Sequence, residues 1–368
     1  MTIVFFISGH GFGHASREVE IINALGRLAP DARLIVRSAV SPSLLRRTIR
    51  PPFELRPGAC DTGIVQSTSV SHDDGATTRE ALAFYSGFDD HISGETAALS
   101  RDRVDVIVAD IPPIAFEVAA RLDVPSIAIA NFTWDWIYET HPGLGDAEPW
   151  LVPLMRQSYA KATLALELPF AAGFEVFHAV QRLPLVARQP ARTREETRRY
   201  FDVPPDRPAA LLSFGGYGMP SLDIESIDCR DWTLIATDRV LPAHRRAAFP
   251  HLVHVDEGRF LDGGFRYEDL VAAADVVVTK PGFGIISECI ACRTPMLYTS
   301  RGVFREYDVL VREMPRYLRC RFIDQQDLFA GRWRGALESL LDQPPPPETM
   351  AINGAEVAAS LIESAPGR

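Results

Sequence analysis

Short apolar runs of strand length alternate with longer amphipathic stretches from the first residue onward. Apolar runs that end at turn residues predict buried strands, and the longer stretches between them predict helices. Strands are predicted at Ile3–Ser8, Arg33–Arg37, Val104–Ala109, Ser126–Ala130, Ala162–Glu167, Ala210–Phe214, Thr233–Thr237, Leu252–Val255, Val276–Thr279 and Met296–Tyr298. Helices are predicted at Ser16–Arg27, Thr78–Leu99, Pro113–Arg121, Thr193–Tyr200, Phe283–Ala291 and Met350–Ser364. This alternation is typical of α/β proteins, in which helices connect the parallel strands of a sheet.

The alternating pattern is interrupted near residues 184–190, where prolines and arginines separate two series of elements. We therefore predict a first Rossmann-like domain over residues 1–188 and a second over residues 189–349. The prolines at 344–347 form a stiff spacer that a helix cannot cross. A last helix follows the spacer, and we expect residues 350–368 to pack back on the first domain.

Charge and cysteine content narrow the classes of function. The 368-residue chain has a formal net charge of −10, which argues against a protein that binds nucleic acid through a basic surface. The five scattered cysteines favour a reducing, cytoplasmic location, and Cys289 and Cys292 lack the further ligands of a metal site. We expect no metal, no other cofactor, no signal segment and no membrane-spanning segment. Composition leaves the oligomeric state open.

A glycine-rich turn, GHGFGHASR at residues 9–17, lies between the first predicted strand and the first predicted helix. Such turns lie at the carboxyl edge of a parallel sheet, where ligands bind. His14 stands at the helix start, where the helix dipole favours a neutral imidazole that can accept a proton. Asp110 ends a strand at the same edge, so it either orients His14 as a general base or caps the next helix. The alternative interpretation is that His10 and His14 are surface residues or helix-capping residues.

The turn also resembles a dinucleotide-binding fingerprint, but Ser16 stands where that motif has its third glycine. The second strand ends in Arg37 and Ser38, with no acidic residue to bind a ribose. These departures disfavour a nicotinamide-dependent enzyme.

A second glycine-rich turn, TKPGFGIISE at residues 279–288, also joins a strand to a helix. Gly282, Phe283 and Gly284 would present backbone N–H groups at a helix N-terminus, which binds an anion without a basic patch. Lys280 either adds a charge to one phosphate or is an ordinary surface lysine. Glu288 is placed to accept hydrogen bonds from the hydroxyls of a sugar.

A third loop, SFGGYG at residues 213–218, follows the first predicted strand of the second domain and contributes Gly215 and Gly216. Two glycine turns at one sheet edge favour a nucleoside diphosphate over a single phosphate. Phe265 either stacks on a nucleotide base or fills the core.

These features resemble those of the GT-B glycosyltransferases, in which two Rossmann-like domains face each other across a cleft. The spacing from Lys280 to Glu288 is similar to the signature of nucleoside-diphosphate-sugar transferases. The resemblance implies a diphosphate at Gly282–Gly284 and a ribose at Glu288. The stretch ADVVVTKPGFGIISE at 274–288 is also similar to one in the bacterial lipid-linked N-acetylglucosaminyltransferases of peptidoglycan synthesis.

The chain further resembles, over nearly its whole length, the N-terminal glycosyltransferase-like region of plant L-arabinokinases. The shared segments are GHGFGHASR at 9–17, NFTWDWIY at 131–138, LPLVAR at 183–188, SFGG at 213–216, KPGFGIISE at 280–288 and INGAEVAA at 352–359. The kinase chemistry of that family belongs to a separate C-terminal domain, so the resemblance implies no kinase activity. Arg305 and Glu306 stand about where many transferases have an Asp-Gln pair for the donor sugar.

On the acceptor side, Asn131, Trp134 and Asp135 follow a predicted strand of the first domain. Aromatic rings beside polar groups suit a sugar, but they equally suit an aromatic plug in the core. His10, Gly11 and Gly13 of the first turn are the other candidate acceptor-binding residues. The stretch at 149–155, PWLVPLM, is either a surface that contacts lipid or a buried helix face.

The sequence therefore predicts a metal-independent, inverting glycosyltransferase whose second domain binds a nucleoside-diphosphate sugar, with UDP as the favoured nucleotide. In this hypothesis His14, oriented by Asp110, deprotonates an acceptor hydroxyl. A nucleotide-sugar epimerase or hydrolase of the same fold is one alternative. A module that binds a sugar nucleotide without turning it over is another. Donor sugar and acceptor remain open.

Overall fold

The computed structural model describes residues 1–215, 219, 222–238, 240, 249 and 251–365. The chain forms two compact units. The first contains Met1–Val65, Asp73–Ala187 and Ala351–Arg368, and the second contains Gln66–His72 and Arg188–Met350. The segment 66–72 therefore belongs to the second unit, whereas the sequence pattern assigned it to the first domain.

The strands are short and mostly apolar. Numbered along the chain, they are β1 (Thr2–Ile7), β2 (Arg33–Ser38), β3 (Phe53–Pro57), β4 (Gln66–Thr68), β5 (Ser71–His72), β6 (Val106–Asp110), β7 (Ser126–Ala130), β8 (Leu164–Glu167), β9 (Val180–Arg182), β10 (Ala209–Ser213), β11 (Thr233–Thr237), β12 (Leu252–Val255), β13 (Val276–Thr279), β14 (Met296–Tyr298) and β15 (Cys320–Phe322).

Helices follow most of these strands. They are α1 (Phe12–Leu28), α2 (Pro42–Thr48), α3 (Asp74–Ser86), α4 (Phe88–Leu99), α5 (Ile114–Leu122), α6 (Trp134–Glu139), α7 (Leu151–Tyr159), α8 (Arg194–Tyr200), α9 (Glu257–Gly263), α10 (Tyr267–Ala273), α11 (Phe283–Cys292), α12 (Arg305–Glu313), α13 (Gln325–Phe329), α14 (Arg334–Leu341) and α15 (Gly354–Glu363).

Each unit is built on a parallel sheet. The seven-stranded sheet of the first unit has the order β3-β2-β1-β6-β7-β8-β9. The six-stranded sheet of the second has the order β12-β11-β10-β13-β14-β15. In both sheets the order reverses beside the first strand, between β1 and β6 and between β10 and β13. Ligands of doubly wound sheets bind at this point of reversal, beyond the carboxyl ends of the strands.

The central strands are buried on both faces, which explains their continuous apolar runs. Every residue of β6 and of β7 is buried, as is every residue of β10 and of β13. The strands that the sequence pattern missed carry charged or polar residues instead, and β3 and β9 lie at an edge of the first sheet. Edge strands have no continuous apolar signal because one side of them has no neighbouring strand.

Two predicted helices differ from those observed. The helix expected at Thr78–Leu99 is two helices, α3 and α4, because Gly87 ends one and precedes the other. The last helix begins only at Gly354, and the residues before it are extended. The Leu185 N–H donates to the Ala351 carbonyl at 2.9 Å, and Val186 forms an isolated bridge with Asn353. α15 then packs against α1, within the first unit.

Most of the stretch at 149–155 lies in α7, and three of its apolar side chains belong to the buried face of that helix. Leu151, Val152 and Met155 are buried, and Trp150 is partly exposed. Within the described part of the chain, no helix is long and apolar enough to cross a membrane.

The start of α15 leaves no room for a side chain. A Cβ on Gly354 would lie 2.2 Å from the Pro184 carbonyl oxygen, which is backbone and cannot move aside easily. We expect Gly354→Ala to destabilise the first unit by about 1–3 kcal/mol, the usual cost of overpacking. Gly335→Ala is the matched control, because that glycine also lies at the start of a helix and a Cβ there meets nothing within 4 Å.

Urea unfolding of both variants measures the effect. The control should be neutral or stabilised by up to about 1 kcal/mol, since alanine favours helix over glycine. Equal stabilities of the two variants would show that the contact between residues 184–185 and the start of α15 is loose.

Candidate functional site

The two glycine turns lie where the strand orders reverse. β1 leads into the first turn and β6 ends at Asp110, which is aligned with Ile7 of β1. In the second unit β13 leads into Lys280 and β10 leads into the loop that contains Gly215. Each unit therefore presents its polar turn residues at the position where doubly wound sheets bind ligands.

In the first unit, the imidazole of His14 lies against the carboxylate of Asp110. α1 begins directly after Gly11, so His14 lies in its first turn. Nδ1 of His14 is 2.7 Å from Oδ1 of Asp110, and His14 is 6% exposed. The structure therefore brings together the two residues proposed from the sequence as a base and its orienting acid.

Arg17, one turn farther along α1, binds the same carboxylate. Its Nη2 donates to Oδ1 of Asp110 at 2.5 Å, and its Nε donates to Oδ2. The same Nη2 is 3.0 Å from Nδ1 of His14. Burial alone would raise the pKa of Asp110, but its interactions with Arg17 and His14 outweigh burial and hold that pKa below its usual value. The charge of the Asp110 carboxylate is thus compensated by Arg17. The environment of Asp110 therefore differs from that in an isolated His-Asp pair.

Glu18 adds a second carboxyl beside this group. It is fully buried, and neither of its oxygens has a hydrogen-bond partner in the described part of the chain. Burial, and then the negative charge of Asp110, raise the pKa of Glu18 well above its ordinary value. Burial thus favours the neutral form of Glu18, which leaves the charge balance between Arg17 and Asp110 undisturbed.

His10 is the more accessible histidine of the first turn. Its side chain is 29% exposed, and its Nε2 lies 3.8 Å from Oδ1 of the buried Asp61. Gly63 allows this approach, because a Cβ there would lie 2.4 Å from Cγ of His10. A Cβ on Gly11 or Gly13 would meet nothing within 4 Å, so the backbone between the histidines is open to a ligand.

The aromatic segment proposed for the acceptor lies inside the first unit. Asn131, Trp134 and Asp135 are each no more than 2% exposed. Asn131 accepts a hydrogen bond from Arg17 at 2.6 Å, and Trp134 donates to Asp61 at 2.8 Å. The Trp134 ring lies 5.8 Å from that of His14. These residues therefore form the wall behind the histidines, as expected for an aromatic plug, and not an open platform for a sugar.

The second turn leads into α11. Gly282 is the N-cap residue of the helix and has no side chain that could bond the first N–H groups. Thr279, the last residue of β13, donates through its hydroxyl to the Ser213 carbonyl at the end of β10. The turn is thereby fixed to the sheet, with the start of α11 directed to the place where the strand order reverses.

Lys280 is mostly buried in this turn. Its Nζ donates to Oε1 of Gln66 at 3.2 Å. Burial, and then the positive charge of Arg301, lower the pKa of Lys280 to about 7. About half of the Lys280 side chains are therefore uncharged at neutral pH, and a nearby anion would favour the charged form.

Gln66 comes from the segment 66–72, which we call the strap. Ser69 of the strap donates to the Phe214 carbonyl at 2.7 Å, and Val70 packs against the core of the second unit. The His72 ring lies 5.6 Å from that of Phe304. The strap therefore supplies the second unit with a polar partner for Lys280, although most of the surrounding chain belongs to the first unit.

Arg301 contacts the backbone of the second turn. Its Nη1 donates to the Pro281 carbonyl at 3.1 Å and lies 3.4 Å from Oε2 of Glu306. Its guanidinium carbon lies 4.2 Å from the centroid of the Phe304 ring. Arg301 is 7% exposed.

Glu288 is buried in α11 and paired with Arg188. Oε1 of Glu288 accepts from Nε of Arg188 at 2.9 Å and from its Nη2. Nη1 of Arg188 lies 3.4 Å from Glu268. Arg188 is the more exposed of the three side chains. A sugar hydroxyl that binds Oε1 of Glu288 must therefore share this oxygen with Arg188 or displace Arg188 from it.

The remaining residues proposed for the donor are placed as follows. Phe265 stacks on Tyr200 at 4.4 Å, so one face of its ring is already covered. Arg305 and Glu306 begin α12, and Glu306 is buried beside Arg301. Gly215 is exposed, with a φ of 73° that favours glycine, and Gly216 lies outside the described residues.

Arg17, Glu18, Gln66 and Arg301 were missed in the sequence analysis. A signal existed for Arg17, because it is three residues after His14 and so lies on the same helix face. Gln66 and Arg301 carry no such signal. They reach the site from loops whose path depends on the tertiary fold.

No family model matches the sequence. Over its whole length the chain is 26% identical to an L-arabinokinase of Arabidopsis thaliana, and it spans 35% of that protein. It is 25% identical over 300 residues to an uncharacterized glycosyltransferase of Methanopyrus kandleri, which covers 76% of this chain and 80% of that protein. The similarity to L-arabinokinases that the motifs indicated is confirmed, and the chain corresponds to about a third of that relative's length.

Solved glycosyltransferases share the fold. UGT2 of Phytolacca americana, complexed with UDP-2-fluoro-glucose and pterostilbene, superposes with a TM-score of 0.62 at 11% identity. The superposition covers 98% of this chain and 93% of that one. Similarity at this level of sequence identity is evidence about the fold alone, and it confirms the predicted fold class. The chain has the GT-B fold of glycosyltransferases.

Proposed function

We propose that this protein is a glycosyltransferase that moves a sugar from a nucleoside-diphosphate donor, with UDP as the favoured nucleotide, to an acceptor hydroxyl. The observation that carries the proposal is the second turn, where the N-terminus of α11, which follows Gly282, and the mostly buried Lys280 meet at the reversal of strand order. A helix N-terminus beside a cation attracts phosphate. The relative named as a glycosyltransferase and the shared fold support the same class of reaction.

On the donor side, the proposal assigns the diphosphate to Gly282–Gly284 and Lys280. The first N–H groups of α11 and the ammonium group would offset the charge that develops on the departing diphosphate. Glu288 lies on the same helix and is paired with Arg188, and this pair is proposed to meet the ribose. A Cβ on Gly215 would meet nothing within 4 Å, so the backbone after β10 is open there.

On the acceptor side, the proposal assigns proton removal to His14. Nδ1 faces Asp110 and Arg17, so Nε2 is the ring nitrogen left for an acceptor hydroxyl. Attack of that hydroxyl on the anomeric carbon, with the diphosphate leaving from the opposite face, inverts the configuration. Gly11, Gly13 and His10 would position the acceptor, and Trp134 holds the ring of His14 from behind.

An assay of nucleotide release tests the proposal and separates it from its alternatives. A panel of UDP-, GDP- and ADP-sugars is incubated with the protein, with and without a panel of sugar and phenol acceptors. A transferase releases free nucleotide faster when an acceptor is present. Acceptor-independent release would indicate a hydrolase, and a changed sugar without release would indicate an epimerase. Binding of a sugar nucleotide without turnover would indicate a sensing module.

We expect His14→Ala to lower kcat by about 100-fold or more, because general base catalysis contributes factors of about 10² to 10⁴. Donor affinity should change less than about threefold, since His14 lies in the first unit. His178→Ala is the matched control, because this histidine is exposed in the same unit. Steady-state kinetics with saturating acceptor measure the effect. Wild-type turnover in His14→Ala would refute the base assignment.

The pKa of Lys280 predicts how diphosphate affinity varies with pH. The free protein has this pKa at about 7, and a bound diphosphate raises it by favouring the ammonium form. The ratio of the diphosphate affinity of wild type to that of Lys280→Met is then at its maximum below pH 7. It falls by up to about tenfold per pH unit as the pH rises from 7 toward the pKa of the complex.

Isothermal titration with UDP at pH 6.5, 7.5 and 8.5 measures this ratio of affinities. Dividing the wild-type affinity by that of Lys280→Met removes the titration of UDP itself. A ratio above about ten that stays constant with pH would mean that Lys280 binds the phosphate as an ordinary, permanently charged lysine. A ratio of one at every pH would remove Lys280 from the donor site.

A further inference from the structure

Two cations lie at the second turn, although only Lys280 was assigned to it. Lys280 is mostly buried and is bonded to Gln66 of the strap. Arg301 is buried, and its Nη1 is bonded to the Pro281 carbonyl and would be 3.9 Å from a Cβ on Gly282. The carbonyl contact fixes the guanidinium beside the residue that precedes α11.

Arg301 has unused hydrogen-bonding capacity in this position. Its Nε is buried and has no acceptor in the described part of the chain. A buried donor without a partner costs about 1–3 kcal/mol, so native structures rarely leave one without a ligand or water. Nη1 contacts Glu306 only at 3.4 Å, which is long for a charge-assisted hydrogen bond.

The local charge balance is also incomplete. Within the described part of the chain, Glu306 is the acidic residue whose charge acts on both Lys280 and Arg301. The charge of Arg301 disfavours the ammonium form of Lys280. Two like charges in one buried place are costly unless an anion joins them. An anion with two negative groups would satisfy both cations and the first N–H groups of α11.

We propose that Arg301 is a second phosphate-binding residue and that Lys280, Arg301 and the start of α11 together form a site for a diphosphate. This inference rests on the proposed function, because it assigns the two phosphates of the donor to two cations. One phosphate lies against Lys280 and the N–H groups that follow Gly282. The other accepts from Nε of Arg301. A monophosphate engages only one of the cations, so the site discriminates by the number of phosphates.

The test compares UDP, UMP and inorganic pyrophosphate by isothermal titration against wild type and Arg301→Gln. We expect Arg301→Gln to weaken the binding of UDP and of pyrophosphate by about 10- to 100-fold and the binding of UMP by less than about threefold. Arg312→Gln is the matched control, because Arg312 is exposed on the following helix. Equal losses for UDP and UMP, or no loss for UDP, would overturn the inference.

The titration of Lys280 reports separately whether the charge of Arg301 acts on Lys280. Removing the charge of Arg301 should raise the pH at which the affinity ratio of wild-type Lys280 to Lys280→Met begins to fall.

A second variant, Arg301→Lys, serves if Arg301→Gln does not fold. It keeps the charge but lacks Nε and the planar fork. It should then lower the ratio of UDP to UMP affinity by about tenfold or less. An unchanged ratio in Arg301→Lys would also count against the inference.

The outcomes separate this inference from the proposed function. If wild type binds pyrophosphate through Arg301 but no nucleoside diphosphate, the diphosphate site stands and the glycosyltransferase proposal fails. If wild type binds UDP and transfers sugar while Arg301→Gln behaves like wild type, the proposed function stands and the role of Arg301 is wrong.

Discussion

A charge inside a protein is stable only when an opposite charge or a hydrogen-bond partner compensates it, and both glycine turns are arranged by this constraint. Parallel sheets bring polar residues to the carboxyl ends of buried strands, where water is scarce. In the first unit the carboxylate of Asp110 is bound by Arg17, and burial favours the neutral form of the neighbouring Glu18. In the second unit, Nε of Arg301 has no acceptor within the described residues.

This contrast suggests different tasks for the two turns. The first turn is electrically balanced without a ligand, so it suits a neutral acceptor and a histidine that gains and loses a proton. The second turn is short of negative charge, so it suits an anion. Neither turn needs a basic protein surface, which reconciles phosphate binding with a net charge of −10. The proposed reaction uses both properties.

Much of the fold follows from the sequence because buried parallel strands are continuous apolar runs. β6, β7, β10 and β13 are of this kind. The glycine turns follow for a similar reason, since glycine and helix-start signals are local. The edge strands β3 and β9 were missed because their residues are largely polar.

The site itself could be predicted only in part. Asp110 ends β6, and His14 lies in the helix that follows the adjacent strand β1, so their contact follows from strand order. Gln66 begins β4 and Arg301 lies in the loop after β14, and no local pattern encodes their approach to the second turn. The residue types of Asn131 and Trp134 suggested a sugar-binding surface, but in the structure both side chains are buried behind the histidines.

Calorimetric titration of UDP, GDP and ADP into wild type and into the double variant Lys280→Met/Arg301→Gln tests the central claim most directly. The account predicts that one nucleotide binds wild type at a single site and that the double variant loses at least about 100-fold in affinity while remaining folded. Binding of none of the three nucleotides to wild type, or equal binding to the folded double variant, would contradict it.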